Sequence, residues 1–300
     1  MRLGLLGISE GNGHPYSWGA IINGYDREKM EKCGFPVIPR YLETRNWPAD
    51  RICNAQITSV WTQDIGTSQK IAEAVFIGDI AESPESMVGK VDAILLARDD
   101  ANNHAQLARP FLLAGMPIYI DKPIALSVDD LDKIYSMQQY PGQIFTCSAL
   151  RYASELKLNR TSLDSLGSIR EIHAVTPKSW DKYSLHIIEP VFNFLESDDT
   201  PVEFFKGGLE AFADSGSSNI SIRWKSGIVT RFFALGNSAS PISFRIYGTT
   251  GFKDLIFTDP FSAFKSALQD FILGVHTGVV VTPKEHAYRV VQIIESGRSL

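Results

Sequence analysis

From residue 2 to about 125, short apolar runs alternate with stretches whose apolar residues recur at helical spacing. This is the grammar of strands and helices in a doubly wound parallel sheet. The runs predict strands at Arg2–Ile8, Gln56–Thr62, Ala93–Ala97 and Pro117–Ile120. Thr67–Val75 and His104–Ala114 read as helices, the second stopping at Gly115, a natural terminator. Between Gly24 and Asn54 the rhythm breaks. Pro36, Pro39 and Pro48 stand there among Phe35, Tyr41 and Trp47, and so long a connection reads either as a flap over a site or as a structural insertion.

After residue 125 the pattern changes. Ser127–Gln139 reads as a helix opened by a Ser-x-x-Asp cap, followed by strands at Gly167–Val175, Asn219–Trp224, Ile228–Leu235, Ile242–Tyr247 and Phe252–Phe257. Short turns such as Lys225-Ser226-Gly227 favour antiparallel pairing. Pro260–Gly274 and Pro283–Ser296 read as closing helices with an early proline. The expected division is 1–124, an α/β domain, and 125–300, an α+β domain with a mostly antiparallel, open-faced sheet. The last helix is placed to pack back on the first domain.

Composition narrows the function without naming it. A 300-residue chain that is 44% hydrophobic can bury two cores. A formal charge of −5 without a basic tract argues against nucleic acid. Cys33, Cys53 and Cys147 have neither disulfide nor zinc spacing, so free thiols and no metal are expected. No apolar run reaches the roughly 18 residues a membrane helix needs, and the cytoplasm is the expected compartment.

Two stretches carry candidate chemistry. The first, LGLLGISEGNGHPYSW at residues 3–18, has the strand-then-glycine look of a dinucleotide-binding turn, but Gly4, Gly7, Gly11 and Gly13 miss the usual G-x-G-x-x-G spacing. The second, residues 95–126, runs strand, helix, Gly115, strand and then Asp121-Lys122-Pro123, at the carboxyl edge of the expected sheet where ligands of open α/β folds bind.

This second layout resembles the Gfo/Idh/MocA oxidoreductases, whose middle motif is a helix ending in Ala-Gly, a strand and Glu-Lys-Pro. Here Ala114-Gly115 precedes Asp121-Lys122-Pro123, with aspartate for glutamate. Arg151-Tyr152 resembles the pair opening the family's second domain. Gly167-Ser168-Ile169 resembles its turn into the sheet, and Tyr247-Gly248-Thr249-Thr250-Gly251 its late hairpin. The resemblance implies a Rossmann-type first domain and a role for Lys122 between nicotinamide and substrate, where it exchanges the hydroxyl proton. The family pattern Asp-x-x-x-His-x-x-Asp falls on SWDKYSLHIIEPVF, residues 179–192: His186 matches the histidine and Glu189 the later acid. Lys182 stands where the first acid belongs, leaving neighbouring Asp181 as its displaced counterpart.

The resemblance also rereads the opening as an expanded cofactor turn of Gly7, Ser9, Gly11 and Gly13, Ser9 taking the place of the second glycine. Thr62 or Asp64 stands where the ribose-binding acid ends the second strand, and the lack of a basic neighbour leans toward NAD, with NADP possible through basic residues of the 24–54 segment. His104, Asp121 and Pro123 join the cofactor set. Arg151, Tyr152, Tyr183 and Glu189 are the substrate candidates. Arg98-Asp99-Asp100 replaces the family's Thr-Pro-Asn loop, its acids read as solvated in preference to sugar-binding. The implied protein is an NAD(P)-dependent dehydrogenase of a sugar, cyclitol or nucleotide-linked sugar, working as a homodimer or homotetramer. The competing reading is a non-catalytic regulatory relative that senses a dinucleotide or sugar.

Overall fold

Strand β1 (Arg2–Leu6) lies inside a six-stranded sheet of the computed structural model, which describes residues 1–206 and 216–299. Leu3, Leu5 and Leu6 are wholly buried there, as a strand covered on both faces requires. After it come α1 (His14–Asn23), α2 (Arg27–Glu31), α3 (Val37–Leu42), β2 (Gln56–Trp61), α4 (Ile65–Ala74), β3 (Asp79–Ile80), β4 (Ala93–Leu96), α5 (His104–Leu113), β5 (Ile118–Ile120), α6 (Val128–Tyr135) and β6 (Ile144–Phe145). The strands pair in parallel in the order β3-β2-β1-β4-β5-β6, the Rossmann order. At two residues each, β3 and β6 are too short for periodicity to reveal.

The chain divides into two units, and the first is larger than residues 1–124: it holds Met1–Ala125, Asp129–Cys147 and Phe264–Ala287. This corrects the sequence-based boundary, because β6 continues the first sheet beyond that cut. The 24–54 segment is a packed part of this unit. Tyr41 donates to Ser17 Oγ on α1 at 2.5 Å, and the Phe35 ring lies 6.1 Å from that of Tyr16. A Cβ on Gly13 would meet Ile38 and Phe35 at 2.6–2.7 Å, so the segment needs glycine at the mouth of α1.

Among the described residues the second unit holds Leu126–Val128, 148–206, 216–263 and 288–299. Its elements are α7 (Arg160–Leu166), β7 (Ile169–Thr176), α8 (Trp180–Tyr183), α9 (Leu185–Val191), β8 (Pro201–Lys206), β9 (Ser218–Trp224), β10 (Val229–Ala234), β11 (Ser243–Gly248) and β12 (Phe252–Ile256). Helices α10 (Pro260–Thr277) and α11 (Lys284–Ser299) close the chain. The sheet order is β12-β11-β7-β10-β9-β8, antiparallel except for the β7–β10 pair. Alternate residues Ile172, Ala174, Phe232, Ala234, Phe244 and Ile246 are buried on one face. The other carries polar partners such as Arg245 and Asp254, 2.5 Å apart.

Candidate functional site

The first unit gathers its candidates around the carboxyl ends of β1, β4 and β5. Each glycine of the turn after β1 has its own reason. A Cβ on Gly7 would come within 2.5 Å of Pro15 Cγ, so Gly7 lets strand and helix pack closely, while Gly11 sits at φ +77°, which a side chain disfavours. Asn12 Oδ1 accepts from His14 N at 2.7 Å, and Pro15 has no amide hydrogen, so the first turn of α1 offers little to an anion. Among the described residues, however, the amides of Ser9, Gly11 and Gly13 meet no acceptor. An anion-binding turn leaves such donors open.

Lys122 and Asp121 follow β5. Asp121 is 1% exposed and accepts from Asn12 Nδ2 at 2.9 Å, from His14 Nδ1 at 2.5 Å and, through its other oxygen, from the Lys122 amide at 2.7 Å. Burial pushes its carboxyl pKa up, but His14, Lys122 and Asn12 outweigh burial and hold it below the ordinary aspartate range. A depressed carboxyl stabilises the fold above its unfolded pKa, about 4, and loses that contribution as the pH falls through the lower folded value. Asp121→Asn should therefore flatten the acid-side loss of stability below about pH 4, read by circular dichroism during acid unfolding.

Lys122 is 5% exposed, and its Nζ lies 3.9 Å from Asp99 Oδ2. Asp99 is itself 7% exposed, correcting the expectation that the acids after β4 are solvated. Ser9 Oγ donates to Asp99 Oδ1 at 2.7 Å and accepts from the Asp99 amide at 3.0 Å. Arg98 forks Asp100 and reaches Gln63 Oε1 at 2.8 Å, while Gln63 Nε2 donates to Ile8 O at 2.8 Å. The loop after β4 is thereby tied to the glycine turn.

Three expected cofactor contacts are engaged elsewhere. The His104 ring is fully buried, with nitrogens 3.0 and 2.8 Å from the carbonyls of Ile124 and Arg98, so it braces the loop instead of facing a ligand. Thr62 Oγ1 donates to Asp64 O at 2.6 Å and lies 2.9 Å from Ser68 Oγ. Asp64 caps α4, accepting from the Thr67 amide at 2.7 Å.

In the second unit, His186 on α9 is 7% exposed and its Nδ1 lies 2.8 Å from Ser148 Oγ. Glu189, 3% exposed, accepts from the Ser148 amide and lies 3.7 Å from Arg151. Arg151 stacks over Tyr152, its guanidinium 4.9 Å from the ring centre. Tyr183 meets His186 edge-on at 5.3 Å, and its hydroxyl accepts from Lys178 Nζ at 2.6 Å. Asp181 pairs with Arg298 at 3.0 Å. Ser148 and Lys178 are the members that sequence reasoning missed; neither lies in a motif, and only the packing of α8 and α9 makes them visible.

Residues 34–148 match the model of the Gfo/Idh/MocA oxidoreductase family, NAD-binding Rossmann fold. Over those residues the chain is similar to the NAD-binding domain of that family. The matched residues start beyond the altered glycine turn. Over 69 residues the chain is 28% identical to a protein named as an oxidoreductase subunit of UDP-kanosamine synthase from Amycolatopsis mediterranei (strain S699), covering 23% of this chain and 19% of that one. Its fold is similar to that of myo-inositol 2-dehydrogenase from Lactobacillus plantarum, with a TM-score of 0.75 at 14% identity over 99% of this chain and 96% of that one. Scyllo-inositol dehydrogenase from Lactobacillus casei, solved with NAD(H) and scyllo-inositol, gives 0.72 at 14% identity over the same shares.

The residues of the turn fit the NAD that this family model implies. The amides of Ser9, Gly11 and Gly13 would hold its pyrophosphate, in place of the first-turn amides of α1. Among the described residues, no cluster of His, Cys, Asp and Glu is suited to a metal, and no helix is long and apolar enough to cross a membrane.

Proposed function

We propose that this chain is an NAD-dependent oxidoreductase that moves hydride between nicotinamide and a secondary alcohol or ketone of a sugar, cyclitol or nucleotide-linked sugar. The observation that carries the proposal is the buried Lys122 ammonium beside an open glycine turn. Bound nicotinamide would supply the hydride acceptor or donor. The chain's own part is the proton. Lys122 as the free amine takes the hydroxyl proton when an alcohol is oxidised, and as the ammonium returns it to the oxygen when a ketone is reduced.

His186, fixed through Ser148, is assigned to orienting the substrate hydroxyls, and Arg151 to holding a polar substituent. Support for a polyol substrate comes from the inositol dehydrogenase of like fold, and for a nucleotide-linked sugar from the curated relative. Parallel fluorescence titrations of the purified protein with NADH and NADPH test the cofactor half. NADH should bind more tightly, because the matched family model is NAD-binding and the Asp64 carboxylate after β2 would repel a 2′-phosphate. A polyol and keto-sugar panel read near ~340 nm, the reduced-cofactor band, then tests turnover. Binding of neither nucleotide by folded protein would reject the proposal.

A further inference from the structure

We propose that Asp99 is the positioning residue of Lys122, an acid carried by the first unit where the second-unit motif has Lys182 in place of its acid. The inference rests on the role assigned to Lys122 above. Three departures from the family pattern are involved: Ser9 for a glycine, Asp99 in the loop after β4, and Lys182 for an acid. The first two meet in one arrangement. Ser9 Oγ donates to the Asp99 carboxylate at 2.7 Å and accepts from its amide at 3.0 Å, while the other carboxylate oxygen lies 3.9 Å from Lys122 Nζ. A glycine at position 9 would remove both bonds. Serine there therefore serves to aim Asp99.

The electrostatics explain why such an acid is needed. Lys122 is 5% exposed and Asp99 7%, and charges buried to this degree are stabilised by pairing with one another. At 3.9 Å the pair lies beyond hydrogen-bond reach, so Asp99 acts on Lys122 through its field. Asp121 also faces Lys122, but its carboxylate is already bound by His14, Asn12 and the Lys122 amide. Asp181, the acid nearest the vacant motif position, pairs with Arg298.

The test is the reactivity of the Lys122 amine in the full-length protein, since only the free amine is acylated. Wild type, Asp99→Asn and Ser9→Gly are labelled briefly with acetic anhydride at fixed pH, and modification of Lys122 is read by peptide mass spectrometry against exposed Lys90. Asp99→Asn should raise the relative Lys122 rate about tenfold, the order expected when an opposite charge within ~4–6 Å is removed, with NADH affinity retained. Ser9→Gly should raise it by a smaller factor. An unchanged Lys122 ratio in folded Asp99→Asn would overturn the inference, and if that variant does not fold, an unchanged ratio in Ser9→Gly does so. Failure of the wild type to bind NADH would sink the functional reading while leaving this labelling comparison decisive.

Discussion

Lys122→Met should leave a folded protein that still binds NADH but turns over about 10²–10⁴-fold more slowly, the range for loss of a general acid–base. Methionine keeps the bulk that fills a site 5% exposed and removes only the group that exchanges a proton. The loss should fall on kcat with KM little changed, because the proton moves in the transition state and not on binding. Asp99 loses its counter-charge in this variant but keeps the Ser9 hydroxyl, so the carboxylate is not left bare. Steady-state kinetics on the substrate found in the panel, beside an NADH titration, make the measurement. Unchanged kcat would remove Lys122 from the chemistry, whereas loss of NADH binding with loss of kcat would make it a cofactor residue.

Glu189→Ala should be the most destabilising single change in the second candidate cluster, costing about 3–5 kcal/mol, the usual range for breaking a buried charge pair by removing one partner. Glu189 is 3% exposed, and its carboxylate receives the Ser148 amide and faces Arg151. Truncation leaves an amide and a guanidinium without that acceptor and opens a cavity. Ser148 is also the partner of His186, so the histidine loses its fixed orientation together with the fold energy. Thermal melting followed by circular dichroism should show a transition lowered by roughly 10 °C. Glu189→Gln should lose less, because an amide oxygen can still accept from Ser148. Equal melting of the wild type and Glu189→Ala would mean that this network is ornamental to the fold.

The legible part of the candidate site was its motif residues. Lys122 and His186 could be picked out because each sits in a short pattern tied to one strand or helix end. Their surroundings could not. Ser9 and Asp99 are 90 residues apart, and Asn12 and Asp121 are 109 apart, yet each pair shares a hydrogen bond. Asp64 reads as a ribose ligand because it follows a strand, but the same position is also the N-cap of α4, where its carboxylate accepts from the Thr67 amide. His104 failed similarly: a histidine opening a helix looks available until two carbonyls are found against its ring.

By itself the sequence determined the two-part architecture, since periods of 2 and 3.6 are local properties of the chain and survive without any knowledge of neighbours. Strands β1, β2, β4, β5, β7, β9, β10, β11 and β12 all overlap apolar runs read in advance. The tertiary structure alone decided that the first unit reclaims residues 129–147 and 264–287, that the 24–54 segment packs against α1, and that Ser9 and Asp99 stand behind Lys122. The physical reason is common to all three. A burial pattern is written along the chain, whereas the identity of a buried charge's partner depends on which distant segments the sheet order brings together.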